Sequence, residues 1–144
     1  MAPREVFMSS IHTGSCLCGG VRFEIRGEFT AFYLCYCRRC QKGTGSAHGA
    51  NLFSGSASLV WLQGEALVQV FRLPDSRHVR GFCQCCGSAL PVQDSATGWL
   101  MVPAGSLDTA VALRPRGRLF VGSRAGWACE LEKVPEFTAL PDKK

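Results

Sequence analysis

The sequence predicts a mainly β domain, mostly antiparallel, with little helix. Three observations lead there. Apolar and β-branched residues fall in short runs of four to seven positions, not in a helical period. Glycine or proline separates these runs, and no heptad or long amphipathic stretch interrupts them. Seven of the nine cysteines fall into three tight clusters with the spacing of metal ligands, so small sheets can be held together by bound metal in place of a large core.

The strand candidates run in order along the chain. Residues 21–25 alternate apolar and charged side chains, which is the period of a half-buried strand. Residues 32–36, 58–62, 67–73 and 99–102 are rich in aromatic or β-branched types, and 118–121 form a further brief run. Turn signals lie between them at Gly19-Gly20, Gly43 to Gly45, Gly55, Gly64, Pro74-Asp75, Gly105, Pro115 and Gly117. A short helical turn is expected over residues 39–42, where the chain must fold Cys40 back towards Cys37. There is no repeat, linker or low-complexity tract, so the expected organisation is an N-terminal arm (1–13), one metal-binding domain (14–141) and a short tail (142–144).

A length of 144 residues with 47% hydrophobic and 19% charged residues is that of an ordinary globular domain. Residues 1–13 have no apolar run of signal-peptide type, and no stretch nears the roughly 20 apolar residues of a membrane span. The cytoplasm is therefore expected, a reducing compartment where thiols stay free for metals. The formal charge of +5 counts every thiol as neutral. Seven thiolates and two zinc ions lower it by about three, to roughly +2. The remaining basic residues are dispersed, which argues against a nucleic-acid stripe.

The clusters differ in what they offer. Cys16 and Cys18, followed by Gly19-Gly20, and Cys83 and Cys86, followed by Gly87, each give two thiols at a turn. Together they make four ligands, the number that closes a structural zinc site. Cys35, Cys37 and Cys40 give three on one loop. Three protein ligands leave a fourth position open, as a reactive zinc requires, unless His48, Cys85 or Cys129 closes it. A three-thiolate zinc is a weak Lewis acid but a good carrier of a further thiolate, so transfer of an electrophile to sulfur suits it better than hydrolysis.

These residues resemble the glutathione-dependent formaldehyde-activating enzyme family, which includes the domain of centromere protein V. The resemblance spans about residues 14–141. It is carried by Gly14-Ser15-Cys16-Leu17-Cys18-Gly19-Gly20-Val21-Arg22-Phe23-Glu24, by Cys35-Tyr36-Cys37-Arg38-Arg39-Cys40 with Gly45-Ser46-Ala47, by Phe82-Cys83 to Cys86-Gly87-Ser88, by Phe120-Val121-Gly122-Ser123 with Trp127, and by Pro135-Glu136-Phe137. It implies small coiled antiparallel sheets organised around a structural zinc on Cys16, Cys18, Cys83 and Cys86. It also implies a second zinc, associated with catalysis, on Cys35, Cys37 and Cys40, for which both permanent and labile occupancy stay open. The activity implied is that of a carbon–sulfur lyase joining glutathione, or a related small thiol, to formaldehyde or another small aldehyde to give S-hydroxymethylglutathione. The other function class open to such a chain is a zinc-stabilised binding module without turnover.

Two positions depart from the family pattern: Tyr36 stands where relatives often carry histidine, and Gly126 where many carry proline before the tryptophan. Tyr36 offers either a hydroxyl to the substrate or a packed aromatic ring. Among other polar groups, His48 follows the glycine-rich turn, Arg38 and Arg39 have the guanidinium chemistry to pair with carboxylates, and Asn51 is a candidate to hold a peptide-like ligand. Cys85 is an extra thiol inside the last cluster, and Cys129 is expected to pack as a buried small hydrophobe.

Overall fold

The computed structural model describes residues 10–141, and among these described residues eleven short strands, one seven-residue α-helix and five 3-10 turns make up the regular structure. Strands β1 (Ile11–Ser15) and β2 (Arg22–Arg26) form an antiparallel pair, and β5 (Ser58–Gln63) joins the far edge of β2. A register shift at Arg22/Phe23 marks a bulge in the second pairing. The alternation read from residues 21–25 is realised here: Phe23 and Ile25 are fully buried while Arg22 and Arg26 are exposed. Trp61 on β5 meets the Phe23 ring edge-on at 5.9 Å.

A second, five-stranded sheet places β3 (Ala31–Cys35) beside β4 (Gly49–Ser54), which pairs in turn with β10 (Leu100–Pro103) and then β9 (Val92–Gln93). Its other edge is β11 (Gly117–Leu119), paired parallel to β3. That pairing is the one parallel exception to an otherwise antiparallel set of ladders among the described residues. The third sheet is the hairpin of β6 (Val68–Arg72) and β7 (Val79–Cys83), extended by β8 (Ala89–Leu90). Between β3 and β4 lies the helix, α1 (Arg38–Thr44), which contains the expected turn over 39–42.

The sheets share a core of Val21, Phe23, Ile25, Leu52, Leu90, Leu100 and Val102, each at most 1% exposed. Full burial of such side chains stabilises by about 1.5–3 kcal/mol each. Cys16 and Cys83 belong to this same cluster, so the first thiol site grows directly out of the core. After β11 the chain runs over the outside in 3-10 turns, leaving Phe120, Trp127 and Phe137 more than 60% exposed.

Ordered strand structure thus begins at Ile11, within the expected arm, of which residues 1–9 lie outside the described part; so does the tail, 142–144. Among the described residues no helix is long and apolar enough to cross a membrane. All nine cysteines are free.

Candidate metal centres

Two groups of cysteines converge, and they divide four and three. Cys16, Cys18, Cys83 and Cys86 bring their sulfurs within 4.8 Å of one another, as do Cys35, Cys37 and Cys40. Either group can hold a metal ion. No fourth histidine, cysteine or carboxylate among the described residues joins the second group, so His48, Cys85 and Cys129 do not close it.

The four-sulfur group is assembled by two matching turns. Cys16 follows directly on β1, and the Gly19 N–H donates to Cys16 O at 3.0 Å; Cys83 ends β7, and the Gly87 N–H donates to Cys83 O at 2.8 Å. Gly19 and Gly87 lie in left-handed backbone (φ 78° and 76°), which a side chain would strain. Each turn also aims a backbone donor at sulfur: Val21 N–H to Cys16 Sγ at 3.2 Å, Cys85 N–H to Cys83 Sγ at 3.4 Å. Ser88 ties the turns together, its Oγ accepting the Leu17 N–H at 2.9 Å and standing 3.2 Å from Cys86 Sγ.

Sulfurs about 2.3 Å from a tetrahedral zinc stand about 3.8 Å apart. Cys16 Sγ is 3.5 Å from Cys18 Sγ, which is 3.9 Å from Cys83 Sγ, so the quartet has the size of such a site. Its protonation points the same way. The Ser88 hydroxyl and N–H pull the Cys86 thiol down to about 5. Cys18, although the Gly20 N–H favours its thiolate, is pushed up to about 12 by its neighbours Cys16 and Cys86. A divalent cation bound among these sulfurs would favour their thiolate forms together.

The three-sulfur group sits where β3 runs into α1. Cys35 is the last residue of β3, Cys37 caps the helix by accepting the Cys40 N–H on sulfur at 3.4 Å, and Cys40 lies in the first helical turn. Burial raises the thiols of Cys35 and Cys40, the latter also through its two sulfur neighbours. Burial opposes ionisation of Cys37 too, but the Cys40 N–H and the adjoining thiols outweigh it and hold Cys37 below its ordinary range. Here again the sulfurs compete for one charge unless a cation relieves them.

Residues beyond the cysteines lock this loop in place. The Tyr36 N–H donates to Leu119 O at 2.8 Å, and the Gln41 amide donates to Tyr36 O at 2.7 Å and to Ser123 O at 2.9 Å. Tyr36 is buried, its ring 4.9 Å from that of His48 and under the guanidinium of Arg124 at 5.0 Å. The packing role expected of Tyr36 is thus present in the structure. His48 Nδ1 and Arg124 Nε are buried here without a hydrogen-bond partner, and burial with the nearby Arg118 holds the His48 imidazole below its usual range. Asn51, on β4, lines a cavity of about 170 Å³ together with Cys40, His78 and Arg80.

Several of these residues escape a reading of the sequence. Ser88, Gln41, Arg80 and Arg124 act through contacts made only once distant segments meet. Only Ser88 had a local signal, its place directly after Cys86-Gly87. Cys85 lies exposed, outside the quartet. Cys129, expected to be buried, is exposed, because the outer segment that carries it has no layer above it.

Comparison with other proteins identifies the family and the fold. The family model described as glutathione-dependent formaldehyde-activating enzyme matches residues 11–123. A relative from Halomonas elongata, which bears the same enzyme name in provisional form, is 31% identical over 143 residues, covering 90% of this chain and 88% of its own. A crystal structure of a Rhodobacter sphaeroides protein shares the fold at a TM-score of 0.50 and 19% identity, covering 74% of this chain and 98% of that one.

Proposed function

The chain belongs to the glutathione-dependent formaldehyde-activating enzyme family, and from that premise we propose that it is a carbon–sulfur lyase joining a small thiol, glutathione in the first instance, to formaldehyde. The observation that carries the reading is the split of seven cysteines into a closed quartet and an open trio. Cys16, Cys18, Cys83 and Cys86 would hold a structural zinc, and Cys35, Cys37 and Cys40 a catalytic, more labile one. When bound at the trio, zinc supplies an open position and the positive charge that lets an incoming thiol ionise near neutral pH.

The chain's own residues supply the rest. The hydrogen bonds of Gln41 and the β11–β3 pairing keep the trio from shifting as the thiol arrives. The cavity beside Cys40, about 170 Å³, would hold sulfur and aldehyde close together, which lowers the entropic cost of their meeting. Sulfur attacks the carbonyl carbon, the C=O electron pair moves to oxygen, and the proton lost by the thiol ends on that oxygen. The product is the S-hydroxymethyl thiol, with no other group released. Free thiols throughout the chain suit a cytoplasmic setting.

Formaldehyde adds to thiols unaided, so the test is exchange at equilibrium. Magnetisation-transfer NMR between glutathione and S-hydroxymethylglutathione should show exchange accelerated in proportion to zinc-loaded protein. Exchange that is equally fast with and without protein would refute the activity.

A further inference from the structure

After the 3-10 turn at Gly126–Ala128 the chain continues as an arm that its own domain leaves bare. Every residue from Cys129 to Pro141 is exposed. The arm's hydrogen bonds, among the described residues, are all local: Cys129 N–H to Gly126 O, Lys133 N–H to Glu130 O, Val134 N–H to Leu131 O, and the Lys133–Glu130 side-chain pair. It also lies beyond residue 123, where the match to the family model stops.

The arm does not have the composition of a solvated tail. Leu131, Val134, Phe137 and Leu140 recur at every third position and are between 46% and 86% exposed. A period of three is the one that a 3-10 turn or a polyproline II segment brings to one side, and the arm opens with the 3-10 turn Leu131–Lys133 and then carries Pro135. Upstream, Phe120, Val121 and Trp127 are bare as well. The segment that presents them is held firm from below, since Leu119 O accepts the Tyr36 N–H and Ser123 O accepts the Gln41 amide. Together these apolar side chains leave on the order of 700 Å² in water. One partner gives about 800 Å² to a stable interface, so a single further protein surface suffices to cover them.

Charge says which partner that is. The arm carries Glu130, Glu132 and Glu136 against one cation, Lys133, which is already paired with Glu130. Just before Phe120, Arg114, Arg116 and Arg118 form an exposed basic band, and among the described residues none of the three meets a carboxylate. An acidic apolar arm and a basic apolar patch thus lie on one chain without engaging each other. Two copies related by a two-fold axis satisfy both, because each arm meets the other copy's band and the same surfaces are buried on both sides.

We propose that the arm docks on a second copy of this chain, seating Leu131, Val134, Phe137 and Leu140 on the patch of Phe120, Val121 and Trp127 while Glu132 and Glu136 face Arg114 and Arg118. The product is a two-fold, arm-exchanged dimer. None of the seven metal-site cysteines takes part.

Sedimentation velocity of zinc-loaded full-length protein across the micromolar range tests this, with circular dichroism to confirm that each variant folds. Wild type should sediment at twice the 15.6 kDa mass of the chain. Phe137→Ser combined with Leu140→Ser alters only exposed side chains and should weaken the dimer at least about tenfold. Glu132→Lys with Glu136→Lys, and Arg114→Glu with Arg118→Glu, should each weaken self-association. An equimolar mixture of these two charge-reversed chains should recover the dimer, because opposite charges then face each other at both contacts. A wild-type monomer throughout the range overturns the proposal, and amide protection of the arm in that monomer would place it on its own domain. A dimer left intact by the Phe137→Ser and Leu140→Ser pair overturns it too, as does a mixture of folded charge-reversed chains that associates no better than either alone.

Discussion

The Gln41 side-chain amide reaches Ser123 O at 2.9 Å across 82 positions of sequence while also donating to Tyr36 O at 2.7 Å. One amide thereby joins α1, the loop carrying the trio and the outer segment after β11. Gln41→Leu keeps the volume and removes both bonds. It should cost about 1–3 kcal/mol in denaturant unfolding, because two carbonyls lose their partner. Amide hydrogen exchange should rise first around residues 117–124, and exchange confined to other regions would show that Gln41 is not the tie.

Ser88 gives a second prediction. Its hydroxyl is shared between the Leu17 N–H and Cys86 Sγ, so Ser88→Ala removes the hydroxyl partner of that sulfur, leaving the backbone N–H, and loosens the contact between the two turns. Loss of such an outer partner typically weakens metal affinity 10–100-fold, and about tenfold is expected here. Competition with a chromophoric chelator reads this out, and an unchanged affinity would remove Ser88 from the site.

His78 predicts a pH dependence. Burial first, then Arg39 and Arg80, hold its imidazole below its ordinary value of 6.5. The unfolded chain therefore takes up a proton at this position before the folded chain does, and stability present above about pH 6.5 falls as the pH drops below it. His78→Gln should flatten the slope of stability against pH between roughly 6.5 and 5 relative to wild type. Parallel slopes for the two proteins would contradict the assignment.

Most of this architecture was legible in the residues, and the exceptions have physical causes. β2 declared itself because Phe23 and Ile25 alternate with charged residues, and α1 because Cys40 had to turn back on Cys37. β4 did not: Gly49, Ala50 and Asn51 have weak strand preference, and the strand exists because it is sandwiched between β3 and β10. β7 was hidden by Arg80-Gly81, yet Gly81 is buried where Leu90 O and Pro91 O come within about 3.2 Å of where a Cβ would stand, so the glycine is what lets the strand fit. The short run expected over 118–121 ends early, at Leu119, because Phe120 takes a left-handed backbone (φ 56°) and turns the chain away. Both thiol groups followed from spacing alone, since ligands close in sequence need only a turn to meet.

The central claim is that one sulfur group keeps the fold and the other does the chemistry, and a pair of substitutions separates them. Metal content, circular dichroism and formaldehyde–glutathione exchange should be measured together on Cys37→Ser and Cys83→Ser. The account predicts that Cys37→Ser stays folded with about one zinc in place of two and no accelerated exchange, and that Cys83→Ser loses the fold itself. Full exchange activity in a folded Cys37→Ser protein, or a Cys83→Ser protein as stable as wild type, would contradict it.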